Sequence, residues 1–235
     1  GTAITAGDVY LQAASIGTAG NPLGTNIGLL EATSTNGGIH IEEADGLTLA
    51  VVNATGSGSD ISVVSATGNI DIGFVSATGD VSLEASAGSL VDDGDPSSLI
   101  MANALTLTAG TAIGASGAGN EIDTAVNTLT ATAGNGGVFV SELNGATLTN
   151  VQATGGDVAI TAQSASLVIG TVAATGSVTL AADTGSLFSS GTGTGVSGSS
   201  VALSAQDGIG TVTNFGTAAG EAIAVNTAGA LTANV

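Results

Sequence analysis

The chain of 235 residues contains no Lys and no Arg, and it sets one His against 19 Asp and Glu. Without a fixed cation it cannot clamp a phosphate or neutralise a nucleic-acid backbone. The formal charge of −19 also excludes anionic membrane surfaces as electrostatic partners. There is no Cys, so disulfides contribute nothing to stability. Trp is absent and aromatics make up 2% of residues, which rules out a core built on large rings. The amino terminus shows no basic region followed by an apolar one, and no apolar run approaches the length of a membrane span. The expectation is a stretch with no targeting signal and no span of its own.

What remains is mostly Gly, Ala, Ser, Thr, Val, Leu and Asn. Disorder goes with low hydrophobicity, yet 43% of the chain is apolar and its mean hydropathy is +0.51. It can bury a core, thin and made of small and β-branched side chains. Unpaired carboxylates repel one another, so salt or divalent cations are expected to favour the compact state.

The sequence repeats itself at long period. Residues 3–17 (AITAGDVYLQAASIG), 104–114 (ALTLTAGTAIG) and 199–210 (SSVALSAQDGIG) align, with Val9, Leu105 and Val201 as landmarks. Ala54-Thr55-Gly56 matches Ala153-Thr154-Gly155, and Gly88-Ser89-Leu90 matches Gly185-Ser186-Leu187. This gives superrepeats of about 97 residues, at roughly 9–104, 105–200 and a partial 201–235, read as one continuous segment. Neither end looks like a polar cap, so the expectation is a piece of a longer polypeptide.

Inside each superrepeat, apolar residues alternate over short runs: Val9/Leu11, Ile39/Ile41, Leu47/Leu49, Ile70/Ile72, Val81/Leu83, Leu105/Leu107, Val178/Leu180 and Val201/Leu203. Alternation of period two marks strands with one buried face, and Ala-Thr-Gly, Gly-Asn and Gly-Asp punctuate them as turns. No helical stripe is present. Short strands in arrays predict an all-β, parallel β-helix (β-solenoid) of about 11–12 coils and a rod about 55 Å long. The alternative is a tandem of β-sandwich domains with linkers near residues 110 and 206.

The runs IGTAGNPLGTNIGLLEATSTNGGIHI, GDVSLEASAGSLVDDGD and LTLTAGTAIG resemble the repeat region of filamentous-haemagglutinin-like giant exoproteins. The likeness covers the whole chain. It implies a right-handed parallel β-helix shaft, secretion from a Gram-negative bacterium, and a role in adhesion or cell-surface architecture. The residues add the expectation of no catalysis, since no Lys or Arg is there to hold acidic sugars or act as a base and few aromatics could stack on sugar rings. The family's secretion domain has no counterpart here, and the total absence of Lys and Arg departs from the family's pattern.

Candidate sites are few. Asp92, Asp93 and Asp95 form the densest charge and are a candidate Ca²⁺ loop; the second copy has Ser189-Ser190-Gly191-Thr192 instead. Glu42, Glu43 and Asp45 follow a strand and read as solvated turn charges, with an acid/base pair as the sharper alternative. His40 alternates out of phase with Ile39 and Ile41 and is expected at the surface, where Phe139 takes its place in the second copy. Thr106/Thr108, Thr128/Thr130/Thr132 and Thr147/Thr149 each share a strand face, a pattern that would suit ice or carbohydrate binding if stacked regularly. Open solenoid ends predict self-association end to end or laterally. Host or neighbouring cell-surface glycans or proteins are the other expected partners.

Overall fold

The computed structural model describes residues 4–191, 195–210 and 222–235. Among them there is no helix, and every named strand pairs in parallel with a neighbouring coil. The chain is a parallel β-solenoid of about ten turns. Its strands are β1 (Ile4–Ala13), β2 (Leu23–Ser34), β3 (Ile39–Glu43), β4 (Leu47–Ala54), β5 (Ile61–Ser65), β6 (Ile70–Ala77) and β7 (Val81–Ala85). They continue as β8 (Leu90–Asp92), β9 (Leu99–Ala109), β10 (Ile122–Ala133), β11 (Val138–Glu142), β12 (Thr147–Ala153), β13 (Val158–Ala162) and β14 (Leu167–Ala174). The last are β15 (Val178–Ala182), β16 (Ser186–Ser189), β17 (Gly195–Gly198), β18 (Val201–Ala205), β19 (Gly208–Ile209), β20 (Ala224–Thr227) and β21 (Leu231–Asn234).

The strands build two principal faces. On the first, β3, β5, β7, the end of β9, the end of β10, β12, β14, β17 and β20 follow one another rung by rung. On the second, β1, β2, β4, β6, the start of β9 and the start of β10 lead into β11, β13, β15, β18 and β21. Inward residues stack on their own kind: Ile41, Val63, Leu83 and Leu107 form one column, Val140, Ile160, Leu180 and Leu203 another. All are buried, as are the other alternating residues named above except Leu11, which is half-buried in the first coil. Parallel pairing runs across residue 110 through β9 and β10, where a sandwich tandem would need a linker.

Between Val9–Ala13 and Leu105–Ala109 the chain passes nine times from face to face, and nine more bring it to Val201–Ala205. Nine is odd. One superrepeat is therefore four and a half turns, and equivalent residues of successive copies emerge on different faces of the rod.

Turns are fewer than the 11–12 expected because several coils carry extra residues at one corner. In β6 the alternation slips at Gly73, where Ile72 and Gly73 are both buried, and the chain bends there; Gly170 does the same in β14. In the coils above, segments 93–98 and 114–121 are inserted at this corner. A Cβ on Gly170 would stand 2.6 Å from the Leu148 and Thr149 carbonyl oxygens, which are fixed in the coil below. Gly170→Ala is expected to cost about 1–3 kcal/mol through this overlap, read as a lowered urea midpoint with an unchanged m-value.

Candidate binding surfaces and buried carboxylates

The loop after β8 holds Asp92, Asp93 and Asp95, and each carboxylate binds its own turn. Asp92 accepts from the Gly94 amide (2.7 Å), and Asp93 accepts from the Asp95 amide (3.0 Å) and the Ser98 hydroxyl (2.6 Å). Asp95 accepts from the amide (2.9 Å) and hydroxyl (2.7 Å) of Ser97, which hold its carboxyl below the usual carboxylate range. Asp92 is pushed up, mainly by desolvation and then by Asp93, Asp123 and Asp95 around it, against the pull of the Gly94 amide. Asp71, in the coil below, is also pushed up by desolvation and by Asp93. Among the described residues no three His, Cys, Asp or Glu side chains form a group that could hold a metal. Thr192 of the corresponding second-copy stretch lies outside the described residues.

Glu43 departs from the expectation of a solvated turn. It continues the inward phase of Ile39 and Ile41 and is buried, while Glu42 points to the opposite, exposed side. The two carboxylates thus do not converge. Glu43 receives the Thr25 hydroxyl (2.6 Å) and the amides of Ile27 (3.2 Å) and Ala44 (2.9 Å). Its counterpart Glu142 is buried too, receiving the Thr124 hydroxyl (2.6 Å) and the amides of Val126 (3.3 Å) and Asn144 (3.2 Å).

The backbone explains why. In the next coil β2 pairs first with β3 through Leu23–Thr25 and then with β4 from Leu29 onward, so residues 26–28 have no strand partner on that side. Residues 125–127 of β10 lie in the same gap between β11 and β12. A buried amide without an acceptor is costly, and the inward Glu supplies the missing acceptor in both copies. Burial pushes the Glu142 carboxyl up, and the Thr124 hydroxyl and nearby amides oppose that shift.

The outward side of the first face is a polar ribbon. His40, Ser62, Ser82, Thr106, Thr130 and Asn150 occupy successive rungs. His40 is half-buried rather than free at the surface. A shallow groove of about 370 Å³ runs beside this ribbon, with His40, Glu42, Asp60, Ser62, Asp80 and Ser82 on its walls. Asp60 and Asp80 hold the turns together: Asp60 accepts from the Asp80 amide (2.8 Å), and Asp80 from the Asn103 side chain (3.0 Å) and the Ala104 amide (3.1 Å). Asn127 extends the ladder to Asn103 at 3.2 Å.

Stacked threonines are short columns. Thr106 sits under Thr130 and Thr108 under Thr132, while Thr128 pairs with Thr147. Ser82 and Asn150 close the first column, Glu84 and Gln152 the second. No family model, curated protein or solved structure matches this chain.

Proposed function

We propose that this chain is a length of structural shaft from a secreted bacterial surface adhesin or extracellular filament, a stiff spacer without catalysis. The observation that carries the reading is the parallel pairing that passes from coil to coil along both faces. Inter-coil hydrogen bonds run along the rod axis, and an apolar column fills each turn. Extending such a rod means breaking several backbone bonds together, which is the mechanical property a spacer needs. The family likeness of the motifs supports the same reading, with a Gram-negative cell surface as the location.

Self-association, end to end or lateral, belongs to the same reading, because coils whose backbone groups point along the axis can template a coil of a second copy. The polar ribbon from His40 to Asn150 supports a second reading, a carbohydrate-binding face, since rows of hydroxyls and amides match neutral sugars. Ca²⁺ at the Asp92–Asp95 loop would act by screening that corner rather than by chemistry.

The test is length. Concatemers of one, two and four superrepeats, imaged by atomic force microscopy, should grow by about 22 Å for each 97-residue unit, four and a half turns at roughly 4.8 Å each. End-to-end distance that instead grows as the square root of copy number would remove the spacer reading.

A further inference from the structure

We propose that the second face of the first superrepeat docks a cationic, amphipathic polypeptide segment from another protein. This goes beyond the shaft reading and does not depend on it. The outward residues there form the rungs Tyr10, Glu31, Val51, Phe74 and Leu99, in register through five consecutive coils. Met101 lies beside Leu99 in the adjoining column, above Ser76. Tyr10, Val51 and Met101 are 68%, 42% and 40% exposed, and Phe74 and Leu99 are half-buried. Apart from Glu31 this is an exposed apolar stripe, and such a stripe is uncommon unless something covers it.

The second superrepeat is an internal control. Its equivalent rungs are Thr106, Thr130, Asn150, Thr171 and Gly195, stacked in the same register. The inward neighbours stay apolar in both copies: Val52 and Val151, Val75 and Val172, Ile100 and Val196 are all buried. The fold therefore has no need of an apolar outer column. Ser197 replaces Met101 in the same way.

Charge selects the occupant. The acidic loop is inserted at the Gly73 corner beside the stripe, with an Asp93 oxygen 2.8 Å from where a Gly73 Cβ would lie. Asp123 and Leu99 line one shared depression. In the second copy, Ser189 and Ser190 stand where Asp92 and Asp93 do, and Val168 stands for Asp71. The apolar stripe and the carboxylates Asp71, Asp92 and Asp93 are thus present together in one copy and missing together in the other. The chain has no Lys or Arg to neutralise them, and a second copy would bring only more negative charge. Asp71 and Asp92 are raised first by desolvation and then by the carboxylates beside them, a repulsion that a bound cation would relieve. A partner carrying Lys or Arg next to aliphatic side chains satisfies both halves of the surface.

The experiment uses the whole chain and three fluorescent synthetic peptides: a Lys/Leu amphipathic peptide, the same peptide with Glu for Lys, and oligo-Lys. Anisotropy at physiological salt gives Kd. The Lys/Leu peptide should bind at least about tenfold more tightly than either control. The triple variant Val51→Asn, Phe74→Thr, Leu99→Gly, which takes the second copy's residues, should lose about tenfold or more while its circular dichroism stays that of the parent. Asp92→Ser with Asp93→Ser should weaken the Lys/Leu peptide and leave the Glu/Leu control unchanged. Equal binding of oligo-Lys and the Lys/Leu peptide would overturn the proposal, because it reports charge alone. Unchanged binding to the triple variant, or no binding of the Lys/Leu peptide to the parent chain, would overturn it as well.

Discussion

Replacing Leu107 with Asp is expected to unfold the middle of the rod, whereas replacing its neighbour Thr106 with Asp should be almost silent. Leu107 is fully buried, with Leu83 below it and Ala131 above. A carboxylate there has no cation in the whole chain to pair with, so the cost is on the order of 4 kcal/mol or more. Thr106 points outward on the polar ribbon, and such surface changes usually stay within about 0.5 kcal/mol. In a solenoid the damage also spreads, because a broken rung removes the template for the coils on either side. Chemical denaturation of both variants checks this. Equal stability for Leu107→Asp and the parent would mean that the alternation of β9 does not face a core.

The second large effect belongs to the buried glutamates. Glu142→Ala would leave the Val126 amide without its acceptor and the Thr124 hydroxyl with only a long contact to the Ser141 carbonyl (3.5 Å), and a stranded group costs about 1–3 kcal/mol. Glu142→Gln keeps one acceptor oxygen and should cost less. Both variants also remove the pH dependence that this carboxyl gives the parent chain. Glu142 has its carboxyl raised by burial, so its stabilising contribution is complete below the unfolded pKa of about 4.3 and is lost as pH rises through the native value. Asp71 and Asp92 are raised as well and act in the same direction. Asp95 is lowered, so its contribution runs the other way and is lost only in stronger acid, below the ordinary Asp range.

The thermal midpoint should therefore climb as pH falls through the raised native values of these carboxyls towards the ordinary carboxylate range, with added help from the falling net charge. In Glu142→Gln the climb should be shallower, since that position no longer titrates. A midpoint that falls steadily as pH drops through that range would show that the native state does not hold these carboxyls above their unfolded values.

Much of the fold was legible because small side chains left the alternation uncluttered. Val81-Ser82-Leu83 and Val178-Thr179-Leu180 announce which residues face inward, and the stacked rungs follow from them. The turn count was less accessible. Segments such as 93–98 and 114–121 lengthen individual coils, and nothing in their composition says that they are inserted at a corner rather than forming a coil of their own. The odd number of passes per superrepeat follows only from the pairing register.

The crowding of Glu42, Glu43 and Asp45 into one turn makes Glu43 look like a solvated charge in the sequence. The corrective signal was in the sequence: Ile39, Ile41 and Glu43, like Val138, Val140 and Glu142, are in one phase, which places both glutamates inside. What the sequence could not show is the gap in the ladder that each fills. The stripe from Tyr10 to Leu99 was hidden for a different reason. Its members are about 20 residues apart, and only the register between coils brings them into line.

Small-angle scattering of the purified chain over a concentration series tests the central claim most directly. A continuous solenoid predicts a rod about 48 Å long and about 20–25 Å across, growing in length but not in cross-section as concentration rises or as salt screens the carboxylates. A compact or two-bead particle whose dimensions ignore concentration would contradict it.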